Sequence, residues 1–552
     1  MAESESINSL YHDVSFICGE LFPTLAVMEE AWPWVVIGSG FGGSVAGLRL
    51  VEKGYRVLML EQGERFEPQD YPRSNWNLRR WLWAPAVGCR GIFRISLFRH
   101  LTAFSGVGVG GGSLVYANTL PTPGEGFFQS PTWSHLADWR KELEPHYEVA
   151  LRMLGATETP FQTPPDLALQ KVATERGDPE NFGPTRVAVY FGEEDQEVPD
   201  PYFDGEGPTR TGCNRCGGCM IGCRNNAKNS LDKNYLHLAE KRGLKIQPNS
   251  RVVAVRHMES GGYEIDIEHS YSRFSWVKRP AKQTILAKRI VFAGGVLGTL
   301  PLLQDMAAPG GGLPHLSPHV GNRVRSNSEA LMGVINKDSP DDLSTGIAIG
   351  SIYQTDEHSH IEPVRYPSGS GFFRLLIAPH APGDRFAQRL VSGIRNFARQ
   401  PWAWMRTVLM RDFAKQSAIL LYMRSTESTL RLRRGGIFGM KTELEEGTAP
   451  TANMPTATEL CEGVAKELGG VTGSLVTESL LGIPSTAHIL GGCCMGTDPA
   501  NGVIDNQNRL FGYPDCLVVD GSAISANPGV NPSLTITALA ERAMSFIPPA
   551  TP

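Results

Sequence analysis

The sequence predicts a mixed α/β chain of two domains, the first built round a βαβ unit, and three observations carry that prediction. A short apolar run, Val35-Val36-Ile37, ends in Gly38-Ser39-Gly40-Phe41-Gly42-Gly43, and small and apolar residues at helical spacing follow it. The 552 residues exceed the ~250–300 at which a single hydrophobic core stops growing. Composition changes at Pro309-Gly310-Gly311-Gly312, beyond which strand-like runs alternate with a long basic and aromatic stretch.

Taken in chain order, residues 1–20 lack a basic segment followed by a long apolar one, so no secretory signal is read and a cytoplasmic chain is expected. No run approaches the ~18 apolar residues of a membrane-spanning helix. Residues 44–54 predict a helix closed by glycine, and residues 56–60 return to strand composition. Residues 160–212 are rich in Pro, Gly and acids and read as covering loops. Further strands are expected over 245–256, 262–269, 284–293 and 516–520, and a last helix from near Pro532.

With 41% apolar and 20% charged residues the composition is that of a globular chain. A net charge of −5 offers no general attraction to phosphate backbones, which argues against nucleic acid as a partner.

Three glycine-rich segments carry the binding chemistry. In Gly38-x-Gly40-x-x-Gly43 the backbone can turn tightly and bring a helix N-terminus to a pyrophosphate, and Glu61 ends the next strand where a carboxylate can hold ribose hydroxyls. That is the signature of a Rossmann-like dinucleotide site. A second run, Gly106-Val107-Gly108-Val109-Gly110-Gly111-Gly112-Ser113, leads into Asn118 and implies a backbone passing close to something flat or anionic. The third, Ala293-Gly294-Gly295, again ends a strand. Near the C-terminus stand His488-Ile489-Leu490-Gly491-Gly492, Val519-Asp520-Gly521-Ser522 and Asn531-Pro532-Ser533.

In these segments, their order and their spacing, the sequence resembles the glucose-methanol-choline oxidoreductases, most of all the cholesterol oxidase branch with non-covalent FAD. The resemblance implies a discontinuous FAD-binding domain and a substrate-binding domain on a largely antiparallel sheet. The expected boundaries are 30–308 and 485–552 for the first, with the covering loops inside it, and 309–484 for the second. FAD contacts are then expected from Gly38, Gly40, Phe41, Gly42, Gly43 and Glu61. Gly106, Gly110, Gly111, Gly112, Ser113, Asn118 and Val252 would follow, with Gly294, Asp520, Gly521, Asn531, Pro532 and Ser533.

Oxidising an alcohol requires a group that takes the hydroxyl proton while hydride leaves the carbon for flavin N5. His488 is the candidate for that proton and Asn531 for a second hydrogen bond to the same oxygen. A carboxylate can add acid–base work, as in steroid-oxidising relatives that also move a double bond. Glu329 and Glu362 are the candidates, each weighed against a structural salt bridge or a surface carboxylate. The substrate expected is a bulky, apolar, steroid-like alcohol, with a sugar or polyol as the alternative and oxygen or a redox partner as acceptor. Flavin binding without turnover, or lyase chemistry, is a third reading that His488 and Asn531 argue against.

Two features remain. Cys213-x-x-Cys216-x-x-Cys219-x-x-x-Cys223 has iron-sulfur spacing, with zinc, structural thiols or a disulfide as alternatives, and a cluster would favour a dehydrogenase. The stretch over 385–413, with Arg385, Phe386, Arg389, Trp402, Trp404, Arg406, Arg411 and Phe413, has two readings. Either its aromatics pack on the substrate domain, the favoured reading, or they meet a membrane surface peripherally.

Overall fold

The structure is a computed structural model that describes residues 31–270, 282–436 and 439–551; the stretch read for a signal lies outside the described residues. Strand Trp32–Ile37 lies between Val57–Leu60 and Gln283–Phe292, all parallel, with Lys245–Gln247 beyond Val57–Leu60. Tyr513–Val518 joins Gln283–Phe292 in parallel, placing Cys516 opposite Ile290. Strands Trp32–Ile37 and Val57–Leu60 read as apolar runs because the sheet buries their side chains on both faces. The expected strand over 245–256 is two strands, Lys245–Gln247 and Ser250–His257. Pro248 denies the ladder a donor and Asn249 takes a positive φ of 57°, so the chain turns there.

A second sheet of seven strands has only antiparallel neighbours. Its centre is Ala330–Ile335, Ser417–Arg424 and Ser359–Val364. One face packs Met332, Val334, Leu420, Tyr422 and Ile361 against helices Pro164–Arg176 and Pro455–Glu467. Residues 160–212 are therefore not only covering loops. They hold that first helix, with Leu169 and Ala173 fully buried, and Phe182–Pro184 at the sheet edge. The Pro and acidic residues that suggested loops start the helix: Pro164 follows its N-cap Thr163, and Asp166 closes a capping box.

Because strand side chains alternate, the residues between those core positions point to the opposite face. They are Leu331, Leu421, Met423, His360 and Glu362, with Glu329 one step before the strand. The predicted class, a Rossmann-like parallel unit with a largely antiparallel second sheet, is the one observed.

Helices Phe41–Glu52 and Ser533–Ser545 pack together with both N-termini near the glycine turns. Arg49 clamps them by donating twice to Glu541, at 2.7 and 2.8 Å, and Tyr235 donates to the same carboxylate at 2.6 Å. Glu541→Ala should destabilise the chain by on the order of 2–3 kcal/mol, less than for a fully buried pair because Arg49 keeps some access to water. A lowered melting temperature would be the readout, and an unchanged one would show that the clamp contributes nothing.

Candidate active site

The first glycine turn is shaped by close packing. A Cβ on Gly42 would lie 2.0 Å from the Val519 carbonyl oxygen, and one on Gly38 2.3 Å from that of Ala293. Gly40 differs: a Cβ there would meet nothing within 4 Å, so open space faces the start of helix Phe41–Glu52. Gly43 packs on Gly38, and Phe41 meets the Tyr116 ring edge-on at 5.4 Å.

The second run closes over this turn. A Cβ on Gly111 would sit 2.6 Å from Gly40 Cα, and the Gly110 N–H donates to Ser39 Oγ at 3.1 Å. Gly106 packs against Gly111 and Gly112, while Ser113 Oγ donates to the Gly110 carbonyl and accepts from Leu231 N–H. Glu61 Oε2 accepts from Ser39 N–H and Oγ, and Oε1 from Gly63 N–H, and its burial pushes the carboxyl upward. Oε1, with a single donor, retains a lone pair for a ribose hydroxyl. Val252 lies at a bulge two residues after Ser250, whose N–H donates to the Glu61 carbonyl.

Asn118, at φ 72°, is buried and its Oδ1 has no hydrogen-bond partner. Asp520 instead spends its carboxylate within the protein. Oδ1 accepts from Ser522 N–H and Oγ, and Oδ2 from Gly295 N–H and Thr299 Oγ1. Asp520 thereby pins Gly294 and Gly521 to each other's neighbourhood, while Pro532 and Ser533 begin the last helix.

The acid–base groups come from the antiparallel sheet and from two segments near the C-terminus. Strand Ser485–Thr486 pairs in parallel with Thr102–Gly106, and the chain then delivers His488. His488 Nδ1 lies 2.7 Å from Glu329 Oε1, which also accepts from Thr486 Oγ1 at 2.8 Å, and Ala487 N–H donates to Oε2 at 3.0 Å. Glu329 is 1% exposed and Glu362 0%, so neither is the surface carboxylate weighed above. Asn531 Nδ2 donates to Glu362 Oε2 at 3.4 Å, and the remaining oxygens, Asn531 Oδ1 and Glu362 Oε1, are buried without a hydrogen-bond partner.

Sequence reasoning missed His360, two residues before Glu362 and on the same strand face. Its Nε2 lies 3.8 Å from Glu362 Oε1. Burial holds the His360 imidazole down at about 3, with His488 opposing its protonation, and pushes Glu362 up to about 8, with Glu329 adding to the rise. At neutral pH both are uncharged, so this is a contact of neutral groups and not a salt bridge. Glu478, whose Oε1 accepts from Ser485 N–H at 3.0 Å, is likewise raised to about 8 by burial.

The four cysteines of the 213–223 segment line one small pocket together with Lys228 and Gly346. Among the described residues no group of three or more His, Cys, Asp or Glu side chains is placed to hold a metal ion. Cys219 packs among Val187, Val189 and Ile347, Cys216 is exposed, and burial pushes the Cys213 and Cys219 thiols up. Its backbone serves as a strap: Gly217 N–H donates to the Gly346 carbonyl, and buried Lys228 Nζ donates to the carbonyls of Leu114, Tyr116 and Cys219.

Family models described as GMC oxidoreductase match residues 207–325 and 447–540, and one described as an NAD(P)-binding Rossmann-like domain matches 36–66. The chain is 43% identical to a cholesterol oxidase of Acinetobacter baumannii over 95% of its own length and 96% of that protein's. The chain is a GMC oxidoreductase. A cholesterol oxidase of Mycobacterium tuberculosis (strain ATCC 25618 / H37Rv) is 42% identical over 94% of this chain and 92% of its own. A solved pyridoxine 4-oxidase from Mesorbium loti superposes with TM-score 0.60 at 16% identity, covering 93% of this chain and 99% of its own, a likeness of fold.

This GMC oxidoreductase is an FAD-dependent enzyme that oxidises alcohols. Its residues fit the cofactor: the open space over Gly40 admits a pyrophosphate at a helix N-terminus, and the unpartnered Asn118 Oδ1 and Asn531 Oδ1 await hydrogen-bond donors. Gly40→Val should fold with an unchanged circular dichroism spectrum and lose its flavin on desalting. A variant that keeps its full visible flavin absorbance would remove Gly40 from the cofactor site.

Raised carboxyl pKa values also predict a pH dependence of stability. Folded Glu362 holds its proton up to about 8, whereas the unfolded chain releases it near 4.5. Below that range both states are protonated, and as pH rises through it the unfolded state sheds a proton the folded state keeps, so stability falls. Between about pH 5 and about pH 8, Glu362→Gln should flatten the decline in melting temperature relative to the native chain. Parallel curves for the two proteins would show that Glu362 titrates normally.

Proposed function

We propose that the enzyme oxidises the hydroxyl of a bulky, apolar, steroid-like alcohol, with His488 as the group that takes the hydroxyl proton and oxygen as the electron acceptor. The observation that carries the reading is the company kept by the acid–base groups. On the sheet face that bears Glu329 and His360, Leu331 packs into a cluster with Phe104, Tyr366, Phe372 and Phe373, and into a second with Leu421 and Met423. Such a wall removes apolar surface from water on binding and provides few partners for the several hydroxyls of a sugar. The two cholesterol oxidases at 42–43% identity support the same substrate class and the same acceptor.

Glu329 sets the imidazole. With its oxygens shared among Thr486, Ala487 and His488, it accepts Nδ1–H and leaves Nε2 with a lone pair for the substrate hydroxyl. The other NH of the Asn531 amide is free to donate to the alcohol oxygen. Bound FAD supplies the hydride acceptor.

Glu362 is the better placed of the two carboxylates for further proton work, because both oxygens of Glu329 are already bonded to the Thr486–His488 stretch. Buried beside Asn531 and raised to about 8, it can take a proton from the carbon next to the new carbonyl and return it further along, moving a double bond into conjugation. The fraction of Glu362 carboxylate, and with it this step, rises with pH through about 8.

Anaerobic bleaching of the flavin tests the reading. A 3β-hydroxysteroid should reduce it, and glucose should not. His488→Ala should slow reduction by about 10²–10⁴-fold with FAD still bound. Glu362→Gln should reduce the flavin but yield no conjugated enone absorbance. Bleaching by the sugar alone, or an unimpaired His488→Ala, would sink the assignment.

A further inference from the structure

The basic, aromatic stretch packs only in part in the way favoured from sequence. Trp404 and Phe413 are buried with Ile335, Met410 and Val471, but the rest of the apolar surface faces outward. Helix Phe386–Arg399 has no buried residue at all. Phe386, Val391 and Ile394 are 56, 65 and 60% exposed, and Leu390 and Phe397 are exposed beside them. In the next helix, Pro401–Val408, Trp402 is 72% exposed, with Met405 one turn on.

At 100° per residue, Phe386, Leu390, Ile394, Phe397 and Val391 occupy one continuous arc. Arg395 and Arg399 border it, and the inner side is held by Arg389 and Asn396. Arg389 donates to the carbonyls of Leu480, Leu481, Gly383 and Asp384, and Asn396 Nδ2 donates to the His380 carbonyl at 2.6 Å. The apolar arc is thus presented on a fixed mount.

Charge identifies the occupant. Between residues 385 and 411 there are arginines at 385, 389, 395, 399, 406 and 411 and no acidic residue, in a chain whose net charge is −5. Arg385, Arg395 and Arg399 form no ion pair among the described residues. An apolar face rimmed by arginine, with an outward Trp, suits the boundary between headgroups and acyl chains of an anionic bilayer. No described helix is long and apolar enough to cross a membrane, so contact through these helices would be from one side.

We infer that helices Phe386–Arg399 and Pro401–Val408 form a docking face for an anionic phospholipid surface. The face is tied to the catalytic segment: Arg389 holds the backbone of Leu480 and Leu481, which leads through Ser485–Thr486 to His488. A sparingly soluble alcohol would be collected where the enzyme already sits.

Flotation of the FAD-loaded enzyme with vesicles tests this. The native protein should float with phosphatidylcholine vesicles containing phosphatidylglycerol, and less with phosphatidylcholine alone or at high salt. Ile394→Asp with Trp402→Ser should lower the floated fraction by about tenfold or more while turnover of a detergent-dispersed alcohol stays unchanged. Arg395→Glu with Arg399→Glu should abolish the preference for phosphatidylglycerol. A native enzyme that does not float with either vesicle overturns the proposal, as does an Ile394→Asp, Trp402→Ser variant that floats like the native chain. A native dimer that these substitutions convert to monomer would make a second copy the occupant and overturn it too.

Discussion

Burying Glu329 costs several kcal/mol of lost hydration unless its lone pairs are met, and one short stretch supplies three donors. Thr486, Ala487 and His488 are consecutive, and all three reach the same carboxylate. The anchoring of the imidazole and the satisfaction of the buried acid are one arrangement. His488 N–H also donates to Thr486 Oγ1, which curls the stretch tightly round the carboxylate. Ring orientation, tautomer and strand ending are fixed together, and none can change alone.

The glycines of the first turn divide by function in a way their shared identity conceals. Gly38, Gly42 and Gly43 are needed because backbone from other segments occupies the place of a side chain. Gly40 is needed for the space it leaves. Gly111 touches Gly40 while leaving that space open, so the second run is a wall of the cradle and not a plug in it. Asp520 secures the opposite side by joining Gly295, Thr299 and Ser522 through one carboxylate.

The βαβ turn and the C-terminal segments were legible because their constraints are local: a strand, glycines and a helix start within a few residues. Glu362 was legible as a residue but not as a partner of Asn531, because only the pairing of distant strands brings them together. His360 had a signal that went unused, the spacing of two that places it on the face of Glu362. The 164–176 helix hid behind Pro and acidic residues that belong to its cap. The cysteine spacing fixes which thiols are near one another in sequence, not the environment each side chain meets in the fold. Exposure of the 386–399 helix was equally invisible, since an amphipathic pattern does not say whether protein or something else covers the apolar side.

Electrostatically, burial keeps two of the ionisable groups in this cluster uncharged at neutral pH. His360 is held neutral by burial and Glu362 is mostly protonated at neutral pH, while Glu329 is bonded to His488 at 2.7 Å. An apolar alcohol entering such a site displaces water from hydrophobic and aromatic side chains and not from exposed ions, which would resist desolvation far more strongly. Had His360 or Glu362 been charged, each new ion would have required a counter-ion, and the described contacts of Glu362 offer only Asn531 and a neutral imidazole. Neutrality of that pair is thus the condition under which a buried acid can sit against the apolar wall and still exchange a proton.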